Sequence, residues 1–186
     1  LVRKYEQALP DTKTAESITN EPMVTVDSNL KPAKMEPNSS GTGAVITANN
    51  WQVAVAAKTP EGKNTTASVQ SDLIIYRGGS VEMQGIGFYP SARGDIYIFS
   101  EPTHLGTVQI DTFGLFGGEF KVSSSMNLGK HVLQLVSYAA DGKSLTVSLP
   151  VMIVDVVPPT PLITTKASGF IFPTIAPIII TQNVLV

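Results

Sequence analysis

No cysteine occurs among the 186 residues, so neither a disulfide framework nor a thiolate nucleophile or thiolate metal site can form. Stability has to come from packing. Small secreted eukaryotic domains usually lean on disulfides, so their absence favours a bacterial surface or a reducing compartment. Charge is scarce as well: Asp, Glu, Lys and Arg make up 15% of the chain, against about a quarter in ordinary domains, which leaves the surface to Ser, Thr, Asn and Gln. With 13 basic and 15 acidic residues and a net charge of −2, there is no basic field for nucleic-acid phosphates or an anionic membrane surface. Long hydrophobic runs are missing too. The densest apolar stretch, Phe170 to Ile180, is interrupted by Pro173 and Pro177 and is too short to cross a bilayer as a helix. Neither the basic and apolar regions of a targeting signal nor an LPxTG-type sorting motif is visible, so the chain reads as a processed or excised piece.

What is present is organised in four parts. Residues 1–43 are polar, hold Pro10, Pro22, Pro32 and Pro37, and read as an extended N-terminal arm. Within it Val2, Tyr5 and Leu9 share one face of a short helix that Pro10 would stop, and Met23 to Val26 reads as a strand. The stretch Asn38 to Gly43 has the composition of a linker. Residues 44–70 read as a short β-hairpin region packing on the main domain. Ala44 to Thr47 and Trp51 to Ala57 are separated by the turn residues Asn49 and Asn50, and Thr65 to Gln70 would add a third strand. Trp51, the only tryptophan, is expected to plug the core rather than to carry a ligand.

Residues 71–154 carry seven short β-rich runs at the spacing of a sandwich: Leu73 to Tyr76, Ser80 to Ile86, Asp95 to Ser100, Leu105 to Ile110, Leu115 to Val122, His131 to Tyr138 and Lys143 to Val154. In the last run Leu145, Val147, Leu149, Val151 and Ile153 alternate with Ser144, Thr146, Ser148, Pro150 and Met152. One face should be core and the other mostly wet. Pro150 has no N–H for a ladder, so this strand should lie at an edge or change partners near that residue. Asp141-Gly142 supplies a hairpin turn back to His131–Tyr138, the firmest pairing expectation in the chain.

Several of these runs together carry a recognisable skeleton. Gly85-Ile86-Gly87-Phe88-Tyr89-Pro90, Ile96-Tyr97-Ile98-Phe99-Ser100, Leu105-Gly106-Thr107-Val108, Asp111-Thr112-Phe113-Gly114 and Gly129-Lys130-His131-Val132-Leu133-Gln134 resemble bacterial immunoglobulin-like repeats of actinobacterial type. The resemblance covers about residues 69 to 154 and departs from the pattern at Ser137-Tyr138, where a glycine is common. It implies an extracellular or envelope-anchored sandwich, one of several modules in a long surface protein, without catalytic residues. These are turn and packing signatures, and they identify no ligand.

Candidate chemistry is thin. Gly85-Ile86-Gly87 lies in a strand followed by Pro90 instead of opening a helix, so it reads as packing, not as a phosphate loop. His104 and His131 with Asp95, Glu101 and Asp111 lack metal-ligand spacing; calcium at Asp111 or Asp141 would be the least strained metal reading, and the EF-hand pattern is absent. No serine sits in a Gly-x-Ser-x-Gly elbow. Asp95 and Glu101, at opposite ends of one strand, stand too far apart for glycoside hydrolysis. The sequons Asn38-Ser39-Ser40 and Asn64-Thr65-Thr66 mark exposed loops.

Residues 155–186 read as a Pro-rich linker and an apolar C-terminal tail. Pro158, Pro159 and Pro161 favour an extended, semi-rigid path, and Ile178-Ile179-Ile180 and Val184-Leu185-Val186 follow. At about 1.5 to 3 kcal/mol for each large side chain removed from water, these six carry on the order of 10 kcal/mol of burial that something must cover. A fold back onto the same sandwich and strand addition to a neighbouring subunit are both open.

The sequence therefore predicts an all-β, immunoglobulin-like β-sandwich with an N-terminal β-hairpin extension and long extended tails. It predicts no enzyme and no cofactor. The expected role is that of a structural module of a bacterial cell-surface or extracellular assembly, with Ile178, Ile180, Val184 and Val186 as assembly contacts. Expected partners are copies of itself or other envelope proteins, with no nucleic acid and no membrane span. The alternative is an adhesive or glycan-binding module acting through the loops Tyr89 to Arg93 and Phe113 to Phe116, although Phe113, Leu115 and Phe116 are expected to be core and strand residues.

Overall fold

In the computed structural model, residues 9–17, 21–38, 42–48, 50–65, 72–99 and 102–155 are described. They form one short helix, α1 (Thr12–Ser17), and twelve strands: β1 (Met23–Val26), β2 (Asn29–Pro32), β3 (Lys34–Pro37), β4 (Gly43–Ala48), β5 (Trp51–Lys58), β6 (Leu73–Tyr76), β7 (Ser80–Ile86), β8 (Arg93–Phe99), β9 (Thr103–Gln109), β10 (Phe116–Lys121), β11 (Gly129–Tyr138) and β12 (Ser144–Val154). One sheet has the order β2-β1-β12-β11-β8-β9, with β6 also on β12; the other runs β10-β7-β5-β4-β3. The two face each other across a single core as an immunoglobulin-like β-sandwich.

Alternation explains which residues fill that core. In β5, Trp51, Val53, Val55 and Ala57 are buried while Gln52, Ala54, Ala56 and Lys58 face outward. The opposite sheet answers with Ile96, Ile98, Leu133, Leu135, Leu145, Val147, Leu149 and Val151, all fully buried. Trp51 packs near Phe88, and Phe88 meets Phe116 edge-on at 5.0 Å between ring centres, a favoured aromatic geometry. Trp51 is thus the expected core plug. The seven predicted runs fall on β6 to β12 with ends shifted by two residues or fewer, and Met23–Val26 is β1.

The pairing of β11 with β12 holds over ten residues, from Gly129↔Ile153 to Tyr138↔Ser144. Strand β12 does not lie at an edge; it changes partners. Its other side pairs antiparallel with β1 up to Met23↔Ser148 and then parallel with β6 from Val151↔Leu73. Pro150 stands in the gap between these two partners, where its missing N–H leaves no ladder bond unmade. The outer face of β12, expected to be mostly wet, is largely covered: Thr146, Ser148 and Pro150 are buried.

Part of that cover is the segment around α1. Ala15 packs with Tyr97, Phe99, Val132 and Val136 in a second, smaller apolar cluster. Gln134, fully buried in β11, accepts a hydrogen bond from Asp11 N at 2.7 Å and donates from Nε2 to Asp11 O (3.1 Å) and Ser148 Oγ (3.0 Å). One side-chain amide thereby imitates a ladder partner and satisfies a buried backbone pair. The described helix follows Pro10 instead of ending at it: Asp11 O accepts from Ala15 N, so Asp11 occupies the N-cap position and Pro10 precedes it. Of the face predicted from Val2, Tyr5 and Leu9, only Leu9 lies among the described residues, and it is exposed.

The stretch read as an arm, 1–43, contributes strands to both sheets. Asp27 and Ser28, both at positive φ, turn β1 into β2. A single residue, Ala33, then separates β2 in one sheet from β3 in the other. At the ends of the linker-like stretch, where β3 pairs antiparallel with β4, Thr42 N donates to Asn38 Oδ1 and Asn38 N to Gly43 O, each at 2.9 Å. The hairpin β4–β5 is hydrogen-bonded into the second sheet through β7 instead of packing on it. Of the predicted strand Thr65–Gln70, only Thr65 is described; it is buried and bonded to Ala57 O.

Candidate functional site

The densest polar cluster stands on the β8–β9 ribbon. Asp95 opposes Thr107 and Ile96 opposes Gly106, but the register then slips so that Tyr97 faces His104. Residues 104 and 107 are an odd number apart and would face opposite sides of a regular strand. The bulge, with Leu105 as its extra residue, puts both against the same carboxylate. Asp95, only 1% exposed, accepts from Thr107 Oγ1 at 2.6 Å and meets His104 Nε2 at 3.2 Å. Arg93 Nη2 lies 3.7 Å from the same oxygen and donates to Thr107 Oγ1 at 3.3 Å. The ring of Tyr97 packs on that of His104, 5.0 Å centre to centre.

An acid, an imidazole and a hydroxyl in contact suggest a catalytic triad, and the geometry rules it out. In a triad the carboxylate and the nucleophile address opposite ring nitrogens. Here both Asp95 and Thr107 approach Nε2, and the Thr107 proton is given to the carboxylate. The cluster is a buried carboxyl group satisfied by its neighbours, which fixes β9 against β8. Among the described residues no group of three or more His, Asp or Glu side chains could hold a metal ion.

The other candidates have different tasks. His131 is buried between two carbonyls, with Nδ1 3.0 Å from Phe99 O and Nε2 2.8 Å from Asn127 O. Asp111 Oδ1 accepts from Phe113 N (2.8 Å) and Leu115 N (2.9 Å), and Asp141 Oδ1 from Lys143 N (3.1 Å); both carboxylates build turns. Glu101 lies outside the described residues, as do Ile178, Ile180, Val184 and Val186.

The loops 89–93 and 111–116 are brought together: Ser91 N donates to Asp111 O, and Gln109 Nε2 to the carbonyls of Ser91 and Ala92. Phe116 is core, as expected. Phe113 is not; it is 81% exposed, and Leu115 and Ile86 are also exposed. The Asp111 turn, with Gly114 at φ +80° and its carbonyl accepting from Phe88 N, holds residue 113 at an apex from which its ring cannot reach the core.

On the outer face of the second sheet a shallow cleft of about 210 Å³ is lined by Asn38, Thr42, Ala56, Asn64, Glu82 and Gln84. Both sequon asparagines stand on it. Beside it Lys58 Nζ bridges Glu82 (3.0 Å) and Glu119 (3.3 Å). The Lys58 hydrogen bond holds the Glu82 carboxyl below the usual range; hydrogen bonds from Ser80 and then Lys58 do the same for Glu119. Lys58 itself is raised, chiefly by Glu82.

The strands that end each sheet differ in chemistry. β2 carries Lys31 and Pro32; β3 carries Lys34, Glu36 and Pro37; β10 carries Glu119, Lys121 and two adjacent glycines. β9, Thr-His-Leu-Gly-Thr-Val-Gln, holds no proline, carboxylate, lysine or arginine. Compared with known proteins, the chain matches no family model and no curated sequence.

Sequence reasoning missed the meeting of Asp95 with His104 because it began this strand at Leu105 and left His104 in the turn after Pro102, whereas β9 starts at Thr103. One signal was available: Gly106 inside a strand pattern marks a bulge or a close approach. The space it vacates is taken by the ring of Phe120, 2.8 Å from where a Cβ would stand.

Proposed function

We propose that this protein is a non-catalytic structural module of a bacterial cell-surface or extracellular assembly, whose C-terminal segment makes contacts between copies by β-strand addition. The observation that carries this reading is how the polar side chains are used. Asp95, His104, Thr107, Asp111, His131 and Gln134 each hold a ladder, a turn or a covering segment in place. A rigid sandwich with its polar groups committed to architecture is suited to presentation and contact rather than turnover. Light scattering on size-exclusion fractions tests it. The full chain should be oligomeric and residues 1–155 monomeric; equal mass per particle for both would overturn the assembly reading.

A second reading, an adhesive or glycan-binding module, is favoured by Phe113, a rigidly mounted aromatic ring in solvent beside Leu115. Its test is a glycan array probed with the protein and with Phe113→Ala. Signal lost in the variant, on a chain that stays monomeric, would favour adhesion over assembly.

A further inference from the structure

We infer that the outer face of β8, β11 and β12 is a docking site for a short peptide segment, filled within one chain by residues 9–17 and taken in an assembly by the same segment of a second copy, an inference that rests, for the second copy, on the assembly reading above. Gln134 stands at the centre of this face. It pairs across the ladder with Tyr97 on β8 and with Ser148 on β12, and Phe99, Val132 and Val136 complete an apolar border around it. All six are buried, although the outer face of a sheet in an antiparallel sandwich ordinarily meets water. An apolar border around one fully satisfied amide is the anatomy of a contact surface, with a polar group that fixes orientation and apolar groups that supply area.

The polar centre reads main chain. Gln134 accepts from Asp11 N and donates to Asp11 O, and Ser148 Oγ braces its Nε2. These bonds address peptide groups instead of a side chain, so the choice of segment falls to the border, where Ala15 is the residue that packs. A ligand must therefore place a small apolar side chain four positions after the anchored residue, as residues 9–17 do. Their hold within one chain is slight. α1 has six residues, too few to stay helical without the face beneath it. Leu9, Thr12 and Lys13 are exposed, and among the described side chains of the segment Ala15 alone is buried. One methyl group and two hydrogen bonds exchange readily for an identical set once copies are held together, because tethering supplies the second segment at an effective concentration on the order of millimolar. Every copy carries both the site and the sequence that fits it, which makes a second copy the occupant.

The side-chain amide of Gln134 reports on the site by NMR. In an isotope-labelled full chain carrying Ala15→Glu, the new carboxylate cannot stay in the apolar border, so the resident segment should leave and the Gln134 signal should move. Asp11→Pro, which removes the N–H that Gln134 accepts, opens the site by a second route. Adding a synthetic peptide of residues 9–17 should return the signal to its wild-type position, and unlabelled full-length wild-type chain should do the same. The peptide should bind the wild-type chain at least about tenfold more weakly than the Ala15→Glu chain, because the resident segment competes for the face. A signal that the peptide leaves unmoved in both variants, or equal affinity for wild type and variant, overturns the site. A signal moved by the peptide but not by the full chain overturns the second copy as occupant. Light scattering on the same mixtures separates the two readings. Oligomers with an unmoved signal refute this inference and leave assembly standing, whereas equal mass per particle for the full chain and residues 1–155 refutes assembly and, with it, exchange between copies.

Discussion

Phe116 of β10 lies across Gly85, its cross-strand partner in β7, and occupies the space that a side chain at position 85 would need. Phe88 closes the same site from the other side, its Cε2 2.8 Å from the position of a Cβ. Gly85→Ala is therefore expected to lower stability by about 1–3 kcal/mol through overpacking, measured by urea denaturation. Adding Phe116→Leu should recover part of the loss, because neighbouring substitutions in one packed site do not add.

Gln134 links the covering segment to the sheet by two hydrogen bonds, both to Asp11, and is itself braced by a third to Ser148 of β12. Gln134→Ala would leave Asp11 N–H and C=O without this partner, at a cost of about 1–3 kcal/mol. Amide hydrogen exchange should accelerate at residues 11–17 more than in the β5–β7 ladder. Uniform acceleration throughout would show that the segment does not open separately.

Arg77 meets Asp155 with two parallel bonds, Nε to Oδ1 at 2.7 Å and Nη2 to Oδ2 at 2.6 Å, tying the turn after β6 to the end of β12. The carboxylate is half exposed, so Asp155→Asn is expected to cost only about 0.5–1 kcal/mol. The difference should shrink in high salt.

The Lys58, Glu82 and Glu119 group sets a pH dependence. Both carboxylates are depressed in the folded chain, so their contribution is full above the unfolded glutamate value of about 4.3 and is lost as pH falls through the lower folded values. Lys58 is raised, so its contribution is full below the unfolded lysine value of about 10.4 and is lost as pH rises through the folded one. Thermal midpoints should fall in both windows, and Lys58→Met should flatten both slopes. An unchanged acid slope in Lys58→Met would assign the acid sensitivity to other groups.

The sandwich was legible wherever one face of a strand is core and the other is solvent, as in β5, because burial then imposes a period of two on the sequence. β2 and β3 escaped for the opposite reason: residues 29–32 are all exposed and residues 34–37 nearly so, and each strand ends in proline, so pairing alone defines them. The covered outer face of β12 was misjudged because Thr146 and Ser148 are polar yet buried; a long-range partner, Gln134 with Asp11, decides that. Phe113 was misplaced because hydrophobicity says what favours burial, whereas the Asp111 turn decides where the residue stands. The expected assembly residues of the tail lie outside the described residues.

The change of partner at Pro150 has a mechanical consequence. β1 runs antiparallel to β12, so opposed tension at Met23 and beyond Val154 peels it away one rung at a time. β6 runs parallel, and traction on β12 against a restraint on the N-terminal side of Leu73 loads its four rungs, 151–154, together in shear. Rupture under force follows the unfolding barrier rather than equilibrium stability, so Ile74→Pro should weaken the module more in single-molecule stretching than in urea. A chain built this way would bear drag through four residues that contribute little to its bulk.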